Sequence, residues 1–188
     1  MTKENAHDLA KSFGYLTLRE VDALKTLAKM LPPKPTVLNI GAGAGTSSVA
    51  FLETRNDLIL HTVDIRQDSP LGSLQSELNA IEKAELDVRG RHFQYLGDSK
   101  QICLGLPKSL FDLAFIDGDH EKAGIEGDIT VVLPLLKDGA IIAFDDYGPN
   151  KNGIEIWSDV RVTVDQMIAI DYELILHEDS VIAFRVMK

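Results

Sequence analysis

Apolar runs of strand length alternate along most of this 188-residue chain with segments of helical periodicity. The runs are nearly all apolar, which is typical of strands covered on both faces of a parallel sheet. This pattern predicts an open α/β sheet, mostly parallel, with helices on both of its faces. The five runs cover residues 36–40, 58–64, 91–96, 111–117 and 140–146, and the helical segments between and after them cover 46–55, 71–86, 121–137 and 153–170.

Two further strand-like segments, 172–178 and 180–187, follow the alternating region and have almost no residues between them. A link this short cannot form the crossover that a parallel pair requires, so the two strands must pair antiparallel. We therefore expect seven strands in all, with an antiparallel hairpin at the C-terminal end of the sheet.

The N-terminal part carries one clear helix, at residues 17–31. Thr17 and Glu20 have the spacing of a capping box at its start. We expect a helical extension at residues 1–33 and a single α/β domain at residues 34–188. The predicted buried face of the helix consists of Leu18, Val21, Leu24, Ala28 and Leu31.

The composition limits the partners and the compartment. A formal net charge of −10 and a pI of about 4.9 disfavour nucleic acid, whose binding needs clustered Lys and Arg. Cys103 is the only cysteine, so no internal disulfide can form, which suits a reducing compartment. The sequence shows no apolar signal-peptide core and no run of membrane-spanning length, so we expect a cytoplasmic protein without a membrane partner.

The first predicted strand runs into the glycine-rich stretch NIGAGAGTSS. Ligands of open α/β sheets bind beyond the carboxyl ends of the strands, and Gly41, Gly43 and Gly45 let the backbone approach a ligand closely. Thr46 or Ser47 is expected to cap the following helix. A P-loop needs a lysine before the Ser/Thr, and a dinucleotide fingerprint needs a glycine where Thr46 stands. The alternative to a ligand site is a tight turn between strand and helix.

Asp64 ends the second predicted strand, and Asp98 follows the third. Asp64 is placed to accept hydrogen bonds from ribose hydroxyls, and Asp98 to accept one from an adenine amino group. Each could instead cap a helix or lie in solvent. Because they and the glycine loop mark the carboxyl ends of the first three strands, we expect an adenosyl ligand there.

The motifs NIGAGAGTSS, VDI at 63–65 and LGDS at 96–99 resemble those of the class I S-adenosylmethionine-dependent methyltransferases. The resemblance covers nearly the whole chain after about residue 34, and it implies that family's Rossmann-like fold and S-adenosylmethionine as cofactor. Asn39 departs from the pattern, since many relatives carry an acid there, which leaves open how the methionine ammonium is held. The implied cofactor-binding residues are Gly41, Ala42, Gly43, Gly45, Thr46, Ser47, Asp64, Ile65, Gly97, Asp98, Ser99 and Asp117.

The fourth and fifth predicted strands both end in acids, within FIDGDH (115–120) and FDDY (144–147). In the family's strand order these strands are neighbours, which places Asp117 beside Asp145 and Asp146. Carboxylates this close raise each other's pKa unless a cation lies between them. We therefore expect a divalent cation, Mg²⁺ first, with Mn²⁺ or Ca²⁺ as alternatives. Without a metal, Asp117 would serve only the cofactor and the other two would form a solvated strand end.

His120 would lie by the same pocket, where an imidazole can take a proton from an acceptor hydroxyl. The alternative is an exposed histidine in the first turn of a helix. Asp119 is expected to cap that helix, which is predicted to start near Glu121.

The Asp-Gly-Asp-His and Asp-Asp motifs resemble one branch of the class, which contains metal-dependent macrolide-sugar O-methyltransferases and cephalosporin-hydroxylase-related proteins. There, the residues matching Asp117, Asp145 and Asp146 hold the metal, and the residue matching His120 is the proposed base. The resemblance thus implies Asp117 and His120 as catalytic residues.

The expected reaction is methyl transfer from S-adenosylmethionine to a small-molecule acceptor, with a hydroxyl as the first choice. A metal-independent N- or carboxyl-methyltransferase and a non-catalytic S-adenosylmethionine-binding module are the alternatives. The sequence encodes no large lid, so the acceptor site is either open or completed by another subunit of a homo-oligomer. Trp157 is a candidate lining residue, or else a core or interface aromatic.

Overall fold

A computed structural model of the protein describes residues 3–13, 15–68, 72–149, 153 and 155–188. Seven strands form one sheet, in the order β3-β2-β1-β4-β5-β7-β6. The strands are β1 Thr36–Ile40, β2 Ile59–Asp64, β3 His92–Leu96, β4 Phe111–Ile116, β5 Leu136–Phe144, β6 Glu173–Glu178 and β7 Val181–Arg185. The helices are α1 Ala6–Phe13, α2 Leu18–Met30, α3 Thr46–Thr54, α4 Leu74–Lys83, α5 Ser99–Leu104, α6 Lys122–Val132 and α7 Ser158–Met167.

The strand order confirms the predicted fold class. Strands β1 to β5 are parallel, and β1 lies between β2 and β4, so the order of the strands reverses there. The carboxyl ends beside such a reversal are where open α/β sheets bind ligands. Strand β7 is antiparallel to both β5 and β6, as predicted for the terminal hairpin.

Two hydrophobic cores lie on the two faces of the sheet. The helices α1 to α4 cover one face, where Phe51 and Phe115 meet edge to face with 6.2 Å between ring centroids. Leu9 of α1 and Leu24 of α2 belong to this same core. The helices α5 to α7 cover the other face.

The predicted division into a helical extension at residues 1–33 and a domain at residues 34–188 stays a prediction. None of the helices within the described residues is long and apolar enough to cross a membrane.

Helix α2 begins as predicted. The Thr17 hydroxyl accepts from the Glu20 amide at 3.2 Å, and the Glu20 carboxylate accepts from the Thr17 amide at 2.6 Å. Four of the five predicted core positions are buried, but Leu18 is 42% exposed. That expectation was wrong because burial of the helix begins at Glu20, two residues later.

The predicted helix at 121–137 is too long. Helix α6 ends at Val132, a 3₁₀ turn spans Leu133–Leu135, and β5 begins at Leu136, before the predicted residue 140. Pro134 has no amide hydrogen and cannot continue the helix. Leu136 therefore joins the sheet, where it pairs with Phe111.

Helices α1 and α5 were not predicted, since eight and six residues carry too little periodicity to stand out. The predicted helices at 71–86 and 153–170 are shorter in the structure, as α4 and α7. Residues 71 and 154 of those predicted ranges lie outside the described residues.

Cys103 of α5 is 1% exposed, and burial, with smaller effects of the charges of Asp128 and Asp98, raises the pKa of its thiol to about 12. Because thiolate is the reactive form, we expect no reaction of the native protein with DTNB at mildly alkaline pH. Unfolding in guanidinium should expose one reactive thiol. Rapid labelling of the native protein would contradict the buried position of this side chain.

Candidate active site

The carboxyl ends of β1, β2 and β4 are joined by backbone hydrogen bonds. The Gly41 amide donates to the Val63 carbonyl at 2.9 Å, and the Asp117 amide donates to the Ile40 carbonyl at 2.9 Å. The glycine loop that follows β1 therefore lies directly between Asp64 at the end of β2 and Asp117 at the end of β4.

Gly41 touches the backbone of Asp117 so closely that only a glycine fits. A Cβ at position 41 would lie 2.0 Å from the Asp117 carbonyl oxygen, and the residue has a positive φ of +92°. The loop and the acid-bearing end of β4 are thus in direct contact.

Gly45, and neither Thr46 nor Ser47, is the N-cap of α3. It has a left-handed φ of 86° and offers no side chain, so the prediction of a Thr or Ser cap was wrong. The cause is close packing, because a Cβ here would lie 2.8 Å from the Glu77 Cα and from the Ala80 Cβ of α4. Thr46 and Ser47 fall in the first turn of α3 and are buried.

Asp64 holds the glycine loop in place. Its carboxylate, 5% exposed, accepts from the Ala42 amide at 3.0 Å and from the Arg66 amide at 2.8 Å. The neighbouring Ile65 is 70% exposed, so a large apolar side chain faces solvent beside this strand end. The predicted ribose contact of Asp64 stays a prediction.

The residues predicted at the end of β3 lie at the same edge of the sheet. Gly97 follows β3 directly, and its amide donates to the Asp64 carbonyl at 3.0 Å. Asp98 is the N-cap of α5 and accepts from the Lys100 amide at 2.9 Å. The Ser99 hydroxyl donates to the Asp128 carboxylate at 2.5 Å. The side chains of Asp98 and Ser99 therefore both form hydrogen bonds within the protein.

Asp117, His120 and Asp146 come together beyond the ends of β4 and β5. The His120 Nε2 atom lies 3.1 Å from the Asp146 Oδ2 and 3.4 Å from the Asp117 Oδ1. One ligand atom of each residue lies within 4.8 Å of the other two, and all three side chains are partly exposed. We call these three residues the acidic cluster.

Asp145 lies outside the acidic cluster, although it was predicted as a metal ligand with Asp117 and Asp146. It is 5% exposed, and its Oδ1 accepts from the Asp146 amide at 2.9 Å. The Ser180 hydroxyl lies 2.9 Å from the same oxygen. The structure therefore gathers two of the three predicted ligands with His120, and the ligand set stays a prediction.

Burial and mutual repulsion raise the pKa values of the carboxyl groups here. The pKa of Asp145 lies well above its ordinary value because of burial first and then the charges of Asp117, Glu20 and Asp146. Burial also raises the pKa of Asp117, although the hydrogen bond with His120 acts to lower it. For His120, burial lowers the pKa, but the carboxylates of Asp117, Asp146 and Asp119 outweigh it and raise the pKa overall. The site therefore favours a proton or a cation among its acids.

The surroundings of His120 restrict its ring. The imidazole stacks on the Trp157 indole, with 4.9 Å between centroids and 29° between planes.

Asp119 accepts from the Glu121 amide at 3.0 Å, just ahead of α6, whose N-cap position is Glu121 itself. The carboxylate thus bonds the start of the helix as expected, although it is not the N-cap.

A buried polar network lies behind the glycine loop, and it is not among the features predicted from the sequence. The fully buried Glu77 carboxylate accepts hydrogen bonds from α3, β2 and β3, and pairs with His92 at 3.1 Å. Its position on the buried face of the predicted helix at 71–86 was the available signal. The partners are Ser48, Thr62 at 2.8 Å, His92 at 3.1 Å and Gln94 at 2.6 Å.

Replacing Glu77 by Ala should lower the free energy of unfolding by ~3–5 kcal/mol, because several buried donors would lose their shared acceptor, each at a cost of ~1–3 kcal/mol. Glu82→Ala on the exposed face of the same helix is the matched control and should change it by less than ~0.5 kcal/mol. Urea unfolding measures both. Equal transition midpoints for the two variants would contradict the assigned role.

Several solved structures share this fold. One is the cofactor-bound structure of Rv0187 from MTB, which is 19% identical and has a TM-score of 0.74, with 97% of this chain and 88% of that chain covered. Another is a candidate caffeoyl-CoA O-methyltransferase from Staphylococcus aureus, which is 16% identical and has a TM-score of 0.73, with 98% of this chain and 93% of that chain covered. A candidate O-methyltransferase from Klebsiella pneumoniae is 20% identical and has a TM-score of 0.72, with 97% of this chain and 88% of that chain covered. No curated protein sequence matches the chain.

The sequence model of one family, described as "Methyltransferase domain", matches residues 38–147, which contain the glycine loop, Asp64, Asp98 and the whole acidic cluster. The match covers more than half of the chain, and the fold agrees over nearly all of it. The expected kinship with the class I methyltransferases is confirmed, while the macrolide-sugar branch stays a prediction. The chain belongs to this methyltransferase domain family.

Proposed function

We propose that the protein transfers the methyl group of S-adenosylmethionine to a hydroxyl of a small-molecule acceptor, with assistance from a divalent cation. One observation carries the proposal: Gly41 of the glycine loop is in contact with the backbone of Asp117, which belongs to the acidic cluster. A cofactor on the loop and an acceptor at the cluster would therefore be neighbours.

The residues at the loop fit an adenosyl cofactor. A Cβ built on Gly43 meets nothing within 4 Å, so the loop presents an open surface there. The Thr46 hydroxyl, at the N-terminus of α3, is buried and has no hydrogen-bond partner within the described residues. Helix N-termini suit carboxylate groups, and the exposed Ile65 offers an apolar contact for a ring. S-adenosylmethionine, when bound, supplies the electrophilic methyl group.

The acidic cluster also fits a divalent cation. Asp117 and Asp146 offer carboxylate oxygens, which suit Mg²⁺, Mn²⁺ and Ca²⁺, while an imidazole ligand would favour a transition metal. Asp117, Asp146 and either Asp145 or His120 would hold it. Such an ion, when bound, would lower the pKa of an acceptor hydroxyl.

His120 is the candidate base. Its Nε2 pairs with both carboxylates, and it must be released from that pairing before it can accept a proton from a hydroxyl. The Trp157 indole stacked on the ring limits its rotation while this occurs. The similar structures from Staphylococcus aureus and Klebsiella pneumoniae favour an oxygen acceptor, because both are candidate O-methyltransferases.

Metal-independent transfer is the second candidate. It is favoured by the His120 imidazole, which can itself neutralise Asp117 and Asp146 when protonated. Chelation separates the two: EDTA should abolish S-adenosylhomocysteine release if the cation takes part. Full activity after exhaustive chelation would favour the second candidate.

Thermal unfolding with ligands tests the cofactor. At one hundred times its dissociation constant, S-adenosylhomocysteine should stabilise the fold by ~2.7 kcal/mol, and NAD should have no effect. Gly43→Asn should fold, because asparagine tolerates the positive φ of +51° at this position, but it should lose most of this shift because its side chain would enter the open space beside the loop. An equal shift with NAD would contradict the assignment.

His120→Ala tests the base. We expect it to keep S-adenosylhomocysteine and Mn²⁺ binding by calorimetry and to lose ~10²-fold or more in turnover. His7→Ala on α1 is the control and should behave as the unmodified protein. Lost Mn²⁺ binding would make His120 a ligand, and intact turnover would remove it from the reaction.

A further inference from the structure

Ser180 joins two acids that are far apart in the sequence. It follows β6 in the short turn before β7 and is 4% exposed. Its hydroxyl lies 2.5 Å from the Glu20 Oε1 and 2.9 Å from the Asp145 Oδ1. Since Glu20 and Asp145 are 4% and 5% exposed, the first turn of α2 is connected to the end of β5 through groups shielded from water.

Two further hydrogen bonds strengthen the same junction. The Thr17 hydroxyl donates to the Asp179 carboxylate at 2.7 Å, and the Tyr147 amide donates to the Ser180 carbonyl at 2.9 Å. The start of α2, the β6–β7 turn and the segment after β5 are therefore bonded together at several points.

The two oxygens of Glu20 have separate tasks. Its Oε2 accepts from the Thr17 amide, which completes the capping box. Its Oε1 faces Ser180, which the capping box does not require. A glutamate at this helix position normally lies in solvent, so burial of its second oxygen against Ser180 points to a task beyond capping.

The junction continues into the acidic cluster. Asp145, held by Ser180, accepts a hydrogen bond from the Asp146 amide at 2.9 Å. Asp146 has a φ of +56°, a conformation that residues with side chains adopt rarely unless their neighbours hold them. In that conformation its carboxylate lies 3.1 Å from the His120 Nε2.

We propose that Glu20 and Ser180 are positioning residues of the acidic cluster. Glu20 holds Ser180, Ser180 holds Asp145, and Asp145 keeps Asp146 in the backbone conformation that faces His120. The N-terminal helix α2 is then part of the active-site framework. The inference rests on the proposed function only in assigning the cluster to the reaction.

Ser180→Ala breaks this connection while it leaves both capping-box residues in place. Glu20→Gln is the second variant, because glutamine also serves in a capping box but carries no charge. Ala28→Gly is the matched control, since it weakens α2 in its interior and leaves the Glu20–Ser180–Asp145 contacts and the Thr17–Asp179 hydrogen bond in place. The readout is the imidazole ¹H–¹⁵N spectrum at one fixed pH, with His120 assigned through His120→Ala.

Ser180→Ala and Glu20→Gln should both shift the His120 resonances and leave those of the buried His92 unchanged. Ala28→Gly should lower the melting temperature without shifting the His120 resonances. In turnover, the first two variants should lose ~10- to 100-fold in kcat, with S-adenosylhomocysteine affinity unchanged.

Unshifted His120 resonances in both variants would overturn the positioning role, whatever the activity. Shifts in the Ala28→Gly control as large as in Ser180→Ala would also overturn it, because they would reflect general loosening of α2. A protein without any methyl-transfer activity would refute the proposed function alone, since the spectra decide the positioning role independently.

Discussion

The contact between Gly41 and the Asp117 carbonyl fixes how the glycine loop packs against the end of β4. With any side chain at position 41, the loop after β1 would have to move away from β4, and the hydrogen bonds that join the ends of β1, β2 and β4 would break. Asp64 secures the loop from the other side through the Ala42 amide. The glycine loop is therefore fixed between two strand ends, so a ligand bound to it would meet the acids of β4 in a defined geometry.

Electrostatics at the acidic cluster follow from the same placement. Parallel strands bring their carboxyl ends to one edge, and here burial raises the pKa values of Asp117, Asp145 and Asp146. The charges of Glu20 and Asp146 add to the increase at Asp117 and Asp145. The charge cannot be left uncompensated, since desolvated like charges repel strongly. The His120 imidazole supplies part of the compensation in this structure. A bound cation would contact the same carboxylate oxygens that now lie beside the His120 Nε2.

The sequence predicted the sheet and the location of the site, because apolar strands, glycines and strand-end acids each leave a local pattern. It could not distinguish Asp145 from Asp146. The two adjacent aspartates follow one strand, and only the left-handed turn at Asp146 directs one toward His120 and the other toward Ser180. Nothing in the letters D-D encodes that turn. The Glu77 network was equally hidden, since its partners come from α3, β2 and β3 and meet only through tertiary packing.

The short length of α5 and the ending of α6 before Pro134 show another limit of local patterns. Six residues carry too little periodicity to indicate a helix. Leu136 has the spacing of a helical core residue, yet it pairs with Phe111 in the sheet. Tertiary pairing overrides the local signal at Leu136, and it decides where β5 starts.

The Glu20–Ser180 contact joins residues 160 positions apart in the sequence. Closing a loop of that length has an entropic cost that only the assembled sheet can offset, so this contact should form late in folding. The glycine loop, Asp64 and the end of β4 lie much closer together along the chain. The glycine loop should therefore take shape before the acidic cluster does, so an incompletely folded protein would present the loop without the cluster.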